Sequence, residues 1–216
     1  MKVIGINGSP RKKWNTATLL TNALDGAASK GADTELVHLY DLDFKGCISC
    51  FACKTIDIPH SGKCAVKDGL SPLLEKIEKE ADAIVLGSPI YFGSMTGEMR
   101  SFMERLLFAP LVYTNPPKSV FPKKIKAGVI YTMNVSEEMA AERGYPLLFK
   151  ATETTLRMIL GDAETFCCYD TLQFADYSKF VMEYMDPAKK AERREKVFPE
   201  DCQKAFELGC RIASKA

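Results

Sequence analysis

Four cysteines stand close together at residues 47–64, in the segment CISCFACKTIDIPHSGKC. Cys47, Cys50 and Cys53 recur at every third position, and Cys64 follows after ten intervening residues. A C-x-x-C-x-x-C run lets one loop present three thiolates to a [4Fe–4S] cubane, with a fourth ligand from elsewhere in the chain. Three other interpretations stay open at this point: ordinary packing thiols, a tetrahedral zinc site and a disulfide.

A second chemical feature is the loop GSPRKKWNT at residues 8–16, which joins a predicted buried strand to a predicted helix. The amides and the dipole of a helix N-terminus favour an anion. No carboxylate occurs from residue 5 to residue 22 to repel one. The loop therefore predicts a phosphate site, although it is neither a Walker A loop nor a GxGxxG dinucleotide fingerprint. The side chains available to the anion are Ser9, Arg11, Asn15 and Thr16.

The elements that must position these residues alternate between apolar runs and helical stretches. Strands are predicted at 2–7, 35–39, 83–86, 127–131 and 165–169. Helices are predicted at 16–29, 98–108, 137–160 and 199–213, and a further helix is capped by Asp68 and carries the apolar stripe Leu70, Leu73, Leu74 and Ile77. Such alternation predicts right-handed crossovers and an α/β fold. We expect a doubly wound, five-stranded parallel sheet in the order 2-1-3-4-5, with a ligand crevice at the carboxyl ends of its strands.

The length of 216 residues suits one domain, residues 1–216, with a cysteine-motif insertion at 46–66 and a C-terminal helical extension at about 171–216. Lysine plus arginine, 29, nearly balances aspartate plus glutamate, 28, so no basic face for nucleic acid or a membrane surface is expected. No apolar run approaches a membrane span and no signal-peptide pattern is present. The cytoplasm is the expected location, and there thiols or metal ligands are favoured over disulfides.

The two loops together support a family resemblance. GSPR followed by NT at residues 8–16, with GSPIYFGSMTGEMRSFMERL at residues 87–106, resembles the NADPH-dependent FMN reductase and iron-sulfur flavoprotein families, which share the flavodoxin-like fold. The resemblance covers about residues 1–170. These families usually place a small or polar residue before the Asn-Thr pair, whereas this chain has Trp14, its only tryptophan. Three roles are open for Trp14: a stack on a ligand, a subunit contact, or a partly exposed packing residue, and we expect the last.

The resemblance implies an FMN cofactor whose phosphate is bound by Ser9, Arg11, Asn15 and Thr16. It also places the flavin ring on an uncharged, aromatic and glycine-containing segment, whose flat apolar side chains suit an isoalloxazine. The residues expected at the ring are Pro89, Ile90, Tyr91, Phe92, Gly93 and Ser94. A third loop, Thr132, Met133 and Asn134, is expected to border the ring or the ribityl chain. Because the reaction takes place on the flavin, no protein side chain is expected to be catalytic.

The resemblance further suggests Cys47, Cys50, Cys53 and Cys64 as the ligands of a [4Fe–4S] cluster. The family's fourth cysteine usually comes sooner, and here TIDIPHSG lengthens the gap. Many relatives keep several of these cysteines without carrying a cluster, so ordinary thiols remain the alternative. The remaining cysteines, Cys167, Cys168, Cys202 and Cys210, are expected to pack in the core, and the strand residue His38 is expected to be structural.

Three functions follow from these expectations. The first is an FMN-dependent oxidoreductase that takes electrons from NADPH or NADH and reduces a quinone, a free flavin, an azo compound or a similar small acceptor. The second transfers electrons between the cluster and FMN to a protein partner. The third is a flavin-binding regulatory protein with little turnover. We also expect a homodimer or homotetramer, because the apolar helix 98–108 and the proline-rich loop after it exceed what one sheet face needs.

Overall fold

The computed structural model describes residues 1–55, 62–183 and 185–214. Its strands, in chain order, are β1 (Lys2–Asn7), β2 (Asp33–His38), β3 (Ala83–Tyr91), β4 (Ser94–Met95), β5 (Leu111–Val112), β6 (Lys118–Ser119), β7 (Ile125–Thr132) and β8 (Gly161–Cys168). Its α-helices are α1 (Asn15–Ser29), α2 (Ser71–Glu80), α3 (Gly97–Phe108), α4 (Glu137–Glu142), α5 (Tyr145–Leu160), α6 (Pro187–Lys196) and α7 (Phe198–Ala213). Within these residues no helix is both long enough and apolar enough to cross a bilayer.

Five long strands form one parallel sheet in the order β2-β1-β3-β7-β8, and the short β4 pairs antiparallel with β3. The register places Val3 opposite both Thr34 and Ala83, and Ala83 opposite Lys126. Counted over the long strands alone, this is the predicted order 2-1-3-4-5. The crossover direction changes between β1 and β3, so a crevice opens at the carboxyl ends of these two strands.

Helices cover both faces of the sheet and bury two apolar clusters. One face packs α2, α3 and α5, and Phe102, Leu156 and Tyr131 are among its buried side chains. The other face packs α1 and α7. These two helices approach so closely that a Cβ on Gly209 would lie 1.7 Å from the Ala23 carbonyl oxygen. The C-terminal helix is therefore an integral layer of the domain.

Several predicted boundaries were wrong. The predicted helix at 137–160 is two helices, because the chain turns at Gly144 with a positive φ of 73°. The third strand extends beyond residue 86 to Tyr91, since its outer residues pair with β7 and β4. Helix α2 begins only at Ser71, and the Asp68 carboxylate accepts hydrogen bonds from the Leu70 amide and from Arg105.

Smaller shifts occur elsewhere. The second strand begins at Asp33 and the fifth at Gly161, because backbone pairing with neighbouring strands continues past the apolar runs. The charged segment before the last helix contains the unpredicted helix α6. It begins where the Asp186 side chain accepts hydrogen bonds from the Ala188 and Lys189 amides.

Candidate functional site

The loop after β1 has the geometry of an anion cradle. The Asn7 side-chain oxygen accepts a hydrogen bond from the Ser9 amide at 3.0 Å, and the Ser9 hydroxyl accepts one from the Arg11 amide at 3.2 Å. The α1 helix begins with no side-chain cap and no acidic residue in its first turn. Its first amides, which have no acceptor within the helix, therefore remain available to an anion.

Four segments meet at the carboxyl edge of the sheet: the loop after β1 with the start of α1, the end of β3, the end of β7 with the loop after it, and the segment after β8. They enclose a cavity of about 140 Å³. The Thr16 and Thr132 hydroxyl oxygens lie 2.8 Å apart and join the first of these segments to the end of β7. Ten of the predicted cofactor residues line the cavity: Ser9, Arg11, Asn15, Thr16, Pro89, Ile90, Tyr91, Thr132, Met133 and Asn134. The crevice predicted from the sheet order therefore contains the residues that the resemblance assigned to one ligand.

The other three predicted ring residues do not line this cavity. Phe92 is fully exposed at the turn between β3 and β4, with a positive φ of 50°. Gly93 follows with a φ of 81°, and the Ser94 hydroxyl accepts a hydrogen bond from Arg100 at 3.0 Å. Gly93 and Ser94 instead line a neighbouring apolar groove between α3 and α5.

The segment after β8 supplies a wall that the sequence did not reveal. Thr171, Leu172 and Gln173 line the cavity, and the Leu172 carbonyl accepts hydrogen bonds from the side chains of Trp14 at 3.1 Å and Asn15 at 2.8 Å. Trp14, expected to be a packing residue, is itself a lining residue. One signal could have found this wall: residues 171–173 follow a parallel strand at the same sheet edge.

Helix α6 holds two of the lining segments through cations. Arg194 donates a hydrogen bond to the Asn15 side-chain oxygen at 2.9 Å and lies 3.8 Å above the Phe198 ring. Lys190, which is 3% exposed, donates to the Asn134 carbonyl at 2.5 Å and also to the Asp170 carboxylate. The C-terminal extension therefore completes the site as well as the fold.

A separate small cavity of about 20 Å³ is lined by all four motif cysteines, Cys47, Cys50, Cys53 and Cys64. Each of them is a free thiol, as are the other four cysteines of the chain. Burial raises the pKa of the Cys53 thiol. Among the described residues no three cysteine, histidine or acidic side chains converge on one ion position. Residues 56–61 of the motif, including His60, lie outside the described part of the chain.

Arg105 lines the cysteine cavity, and Lys54 follows Cys53 on the cysteine loop. Lys54 donates to the carbonyls of Phe108, Ala109 and Leu111, which fixes the cysteine loop against the end of α3. The Arg105 side chain is fully buried and pairs with Asp68, yet its Nε is buried without a hydrogen-bond acceptor among the described residues. Four free thiols and an unpartnered N–H around one cavity are the chemistry of a sulfur-rich, anionic group, so these residues fit an iron–sulfur cluster.

An apolar groove of about 370 Å³ lies between α3 and α5. Tyr131 forms part of the wall of this groove. The groove shares Ile90 with the cavity at the sheet edge and Phe108 with the cysteine cavity. It is therefore positioned between the two candidate sites.

The family model of NADPH-dependent FMN reductases matches residues 1–145. The chain belongs to the NADPH-dependent FMN reductase family. This family match contains the loop after β1 and the end of β3, and both line the cavity at the sheet edge. The anion cradle fits the phosphate of FMN, because it offers the amides of α1 and the cation of Arg11 and because the first turn of α1 contains no acidic residue.

Curated relatives of this FMN reductase family member are iron-sulfur flavoproteins. One from Methanocaldococcus jannaschii is 44% identical over 105 residues, which is 49% of this chain and 51% of the relative. One from Archaeoglobus fulgidus is 36% identical over 129 residues, 60% of each chain. The chain therefore matches about half to three-fifths of the length of these relatives.

Solved structures confirm the flavodoxin-like fold of this family member. A NAD(P)H:quinone oxidoreductase from Methanothermobacter marburgensis superposes with a TM-score of 0.73 at 14% identity, covering 98% of both chains. An FMN-dependent NADH-azoreductase from Bacillus anthracis, solved in complex with FMN, superposes with a TM-score of 0.66 at 13% identity, covering 99% of this chain and all of that one. At these identities the likeness concerns the fold alone.

Proposed function

We propose that this protein is an FMN-dependent oxidoreductase in which the cysteine loop holds a [4Fe–4S] cluster that exchanges electrons with the flavin. The observation that carries the proposal is the placement of all four motif cysteines around one cavity, beside an unpartnered buried N–H of Arg105. A flavin-binding regulatory protein would not need this second group of ligands. The family match and the iron-sulfur flavoprotein relatives support the same assignment.

The protein's contribution at the flavin site would be binding and orientation. The α1 amides, Ser9 and Arg11 would hold the phosphate, and residues 89–91 would face the ring at the end of β3. Trp14 donates a hydrogen bond to the Leu172 carbonyl, and these two residues would form the wall of the site that contains the segment after β8. Bound FMN supplies hydride and single-electron chemistry that side chains cannot perform.

At the second site, Cys47, Cys50, Cys53 and Cys64 would be the ligands. Four cysteines suit a cubane, in which each cysteine binds a different iron. A [4Fe–4S] cluster supplies one-electron transfer. Lys54 would keep the ligand loop in place through its three carbonyl contacts at the end of α3.

The deciding experiment is a visible spectrum of anaerobically purified protein, with iron and acid-labile sulfide assayed on the same sample. We expect flavin bands and about four irons per chain, with iron lost in Cys50→Ser and kept in Cys202→Ser, a cysteine remote from the motif. Flavin without iron would remove the cluster and leave an FMN-dependent oxidoreductase. Protein that contains no flavin and does not bind added FMN would contradict the whole proposal.

A second candidate function is reduction of a small apolar acceptor by electrons from NADPH or NADH. The apolar groove favours it, because its 370 Å³ suits a flat molecule such as a quinone, and because its wall includes Ile90 of the flavin site. Steady-state assays with NADPH and NADH, each against a quinone, free flavin and an azo dye, test this function. If neither NADPH nor NADH bleached the flavin under anaerobic conditions, that result would contradict this second function.

We also infer self-association around the rim of the groove. Leu148 and Met158 line the groove and are exposed, and burial of such side chains commonly drives subunit contacts. Light scattering should give a mass of two or four chains, and a species of about 24.0 kDa alone would contradict the inference. The cytoplasmic location expected from the sequence stays a prediction.

A further inference from the structure

The side chain of Arg105 is the most deeply buried cation of α3. Its exposed fraction is 0%, and its terminal nitrogens are engaged: Nη1 donates to the Asp68 carboxylate and the Lys45 carbonyl, and Nη2 donates to the Val66 carbonyl. These partners precede and follow the cysteine loop. Arg105 is therefore held rigidly between the two ends of the segment that contains the motif.

These three hydrogen bonds leave two N–H groups of the Arg105 guanidinium, the Nε–H and one on Nη2. Its Nε is buried and has no acceptor in the described part of the chain. Leaving a buried N–H unpaired costs on the order of 1–3 kcal/mol. Arg105 lines the cavity that the four cysteines enclose. An unpaired, buried N–H in such a cavity points to an acceptor that is supplied by a bound group.

We propose that Arg105 is a positioning residue of the cysteine centre, whose Nε–H donates a hydrogen bond to a sulfur of the bound cluster or of Cys64. The inference rests on the proposed function, because it requires that the four cysteines hold a cluster. The fixed guanidinium also places one positive charge beside a group of four thiolates. Neither role requires Arg105 to contact the flavin or a substrate.

The expected consequence is a higher reduction potential. Hydrogen bonds to cluster sulfurs and nearby positive charge stabilise the reduced, more negative state of an iron–sulfur cluster. Lys54 is not equivalent, because its ammonium group is already bonded to three backbone carbonyls at the end of α3. The sulfur-directed N–H is therefore assigned to Arg105, which lines the cavity.

The test is Arg105→Lys, measured in the holoprotein by an EPR-monitored redox titration of the cluster. Lysine keeps the charge beside Asp68 and removes the Nε–H, so iron content should be retained while the midpoint potential becomes more negative. Arg100→Lys is the matched control, because Arg100 lies on the same helix and its guanidinium bonds Ser94 instead of facing the cysteines. The control should leave the midpoint potential unchanged.

A measurement on the wild-type holoprotein covers the case in which Arg105→Lys fails to fold. Pulsed EPR of the reduced cluster, in protein labelled with 15N-arginine, should detect one coupled arginine nitrogen. Iron at the expected stoichiometry without that coupling, or with an unchanged midpoint potential in Arg105→Lys, would overturn the role of Arg105 and leave the cluster intact. Wild-type protein without iron would overturn the cluster and the inference together.

Discussion

Arg194 and Asn15 are 179 positions apart in the sequence, and the Arg194 guanidinium donates a hydrogen bond to the Asn15 side-chain oxygen at 2.9 Å. The Asn15 amide nitrogen bonds the Leu172 carbonyl at the same time. Both polar ends of Asn15 are thus engaged within the protein. Asn15 therefore orders the start of α1 and the segment after β8, and Arg194 adds a positive charge near the anion cradle.

Removal of Arg194 should weaken FMN binding. We expect Arg194→Gln to raise the dissociation constant of FMN by at least about tenfold, since a hydrogen bond to a charged group contributes about 1.5–3 kcal/mol. Titration of apoprotein with FMN, followed by flavin fluorescence, measures the change. Lys196→Gln is the control, because Lys196 lies on the same helix and pairs only with the exposed Glu192. Equal affinity in the wild type and Arg194→Gln would contradict a role for α6 in the site.

The ion pair of Asp68 with Arg105 should contribute a pH-dependent part of the stability. Burial opposes ionisation of the Asp68 carboxyl, but hydrogen bonds from Arg105 and the Leu70 amide outweigh it and lower the pKa of Asp68 below its usual 3.8. A lowered pKa in the folded state stabilises the protein above the unfolded-state pKa, and this stabilisation is lost as the pH falls through the folded-state pKa.

Comparison of the wild type with Asp68→Asn measures this contribution. We expect the variant to lose about 1–3 kcal/mol of unfolding free energy at neutral pH. The two stabilities should begin to converge as the pH falls below about 4, because the unfolded wild-type carboxyl then binds a proton while the folded one stays ionised down to its lower pKa. Urea denaturation at a series of pH values gives both curves. Parallel curves down to pH 3 would show that Asp68 is not the titrating group.

Filling the groove between α3 and α5 should impair reduction of an apolar acceptor. Thr155 lines the groove from α5, and Thr154 is exposed beside it without lining the groove. In Thr155→Trp we expect a severalfold higher KM for an apolar quinone, because a residue of this volume would occupy the acceptor's space. Flavin content should not change, since neither threonine lines the cavity at the sheet edge. An equal effect in Thr154→Trp would show that the cause is not the groove.

The sheet was predictable because its strands are short, β-branched apolar runs between helical stretches, and this alternation allows few topologies. The first two loops of the crevice were predictable for the same reason: the topology places residues 8–16 and 89–91 at one edge. The strand order could have placed residues 171–173 at this edge, but the hydrogen bonds to the Leu172 carbonyl were not predictable, because a backbone carbonyl has no sequence signature. The cysteine spacing could name the four thiols, but not the buried Arg105 that borders their cavity.

The packing of α7 on α1 leads to the last prediction. Gly209 and Gly26 face the opposite helix so closely that added Cβ atoms would lie 1.7 Å from the Ala23 oxygen and 2.0 Å from the Phe206 oxygen. Gly209→Ala must push the two helices apart and should cost about 2–3 kcal/mol of unfolding free energy. Gly97→Ala is the control, because a Cβ there meets no atom within 4 Å. Urea denaturation of the apoprotein measures this loss of stability. An FMN titration of the same variant then tests whether the displaced α1 also weakens FMN binding, because α1 begins at the anion cradle. A Gly209→Ala variant as stable as Gly97→Ala would contradict this tight contact between the first and last helices.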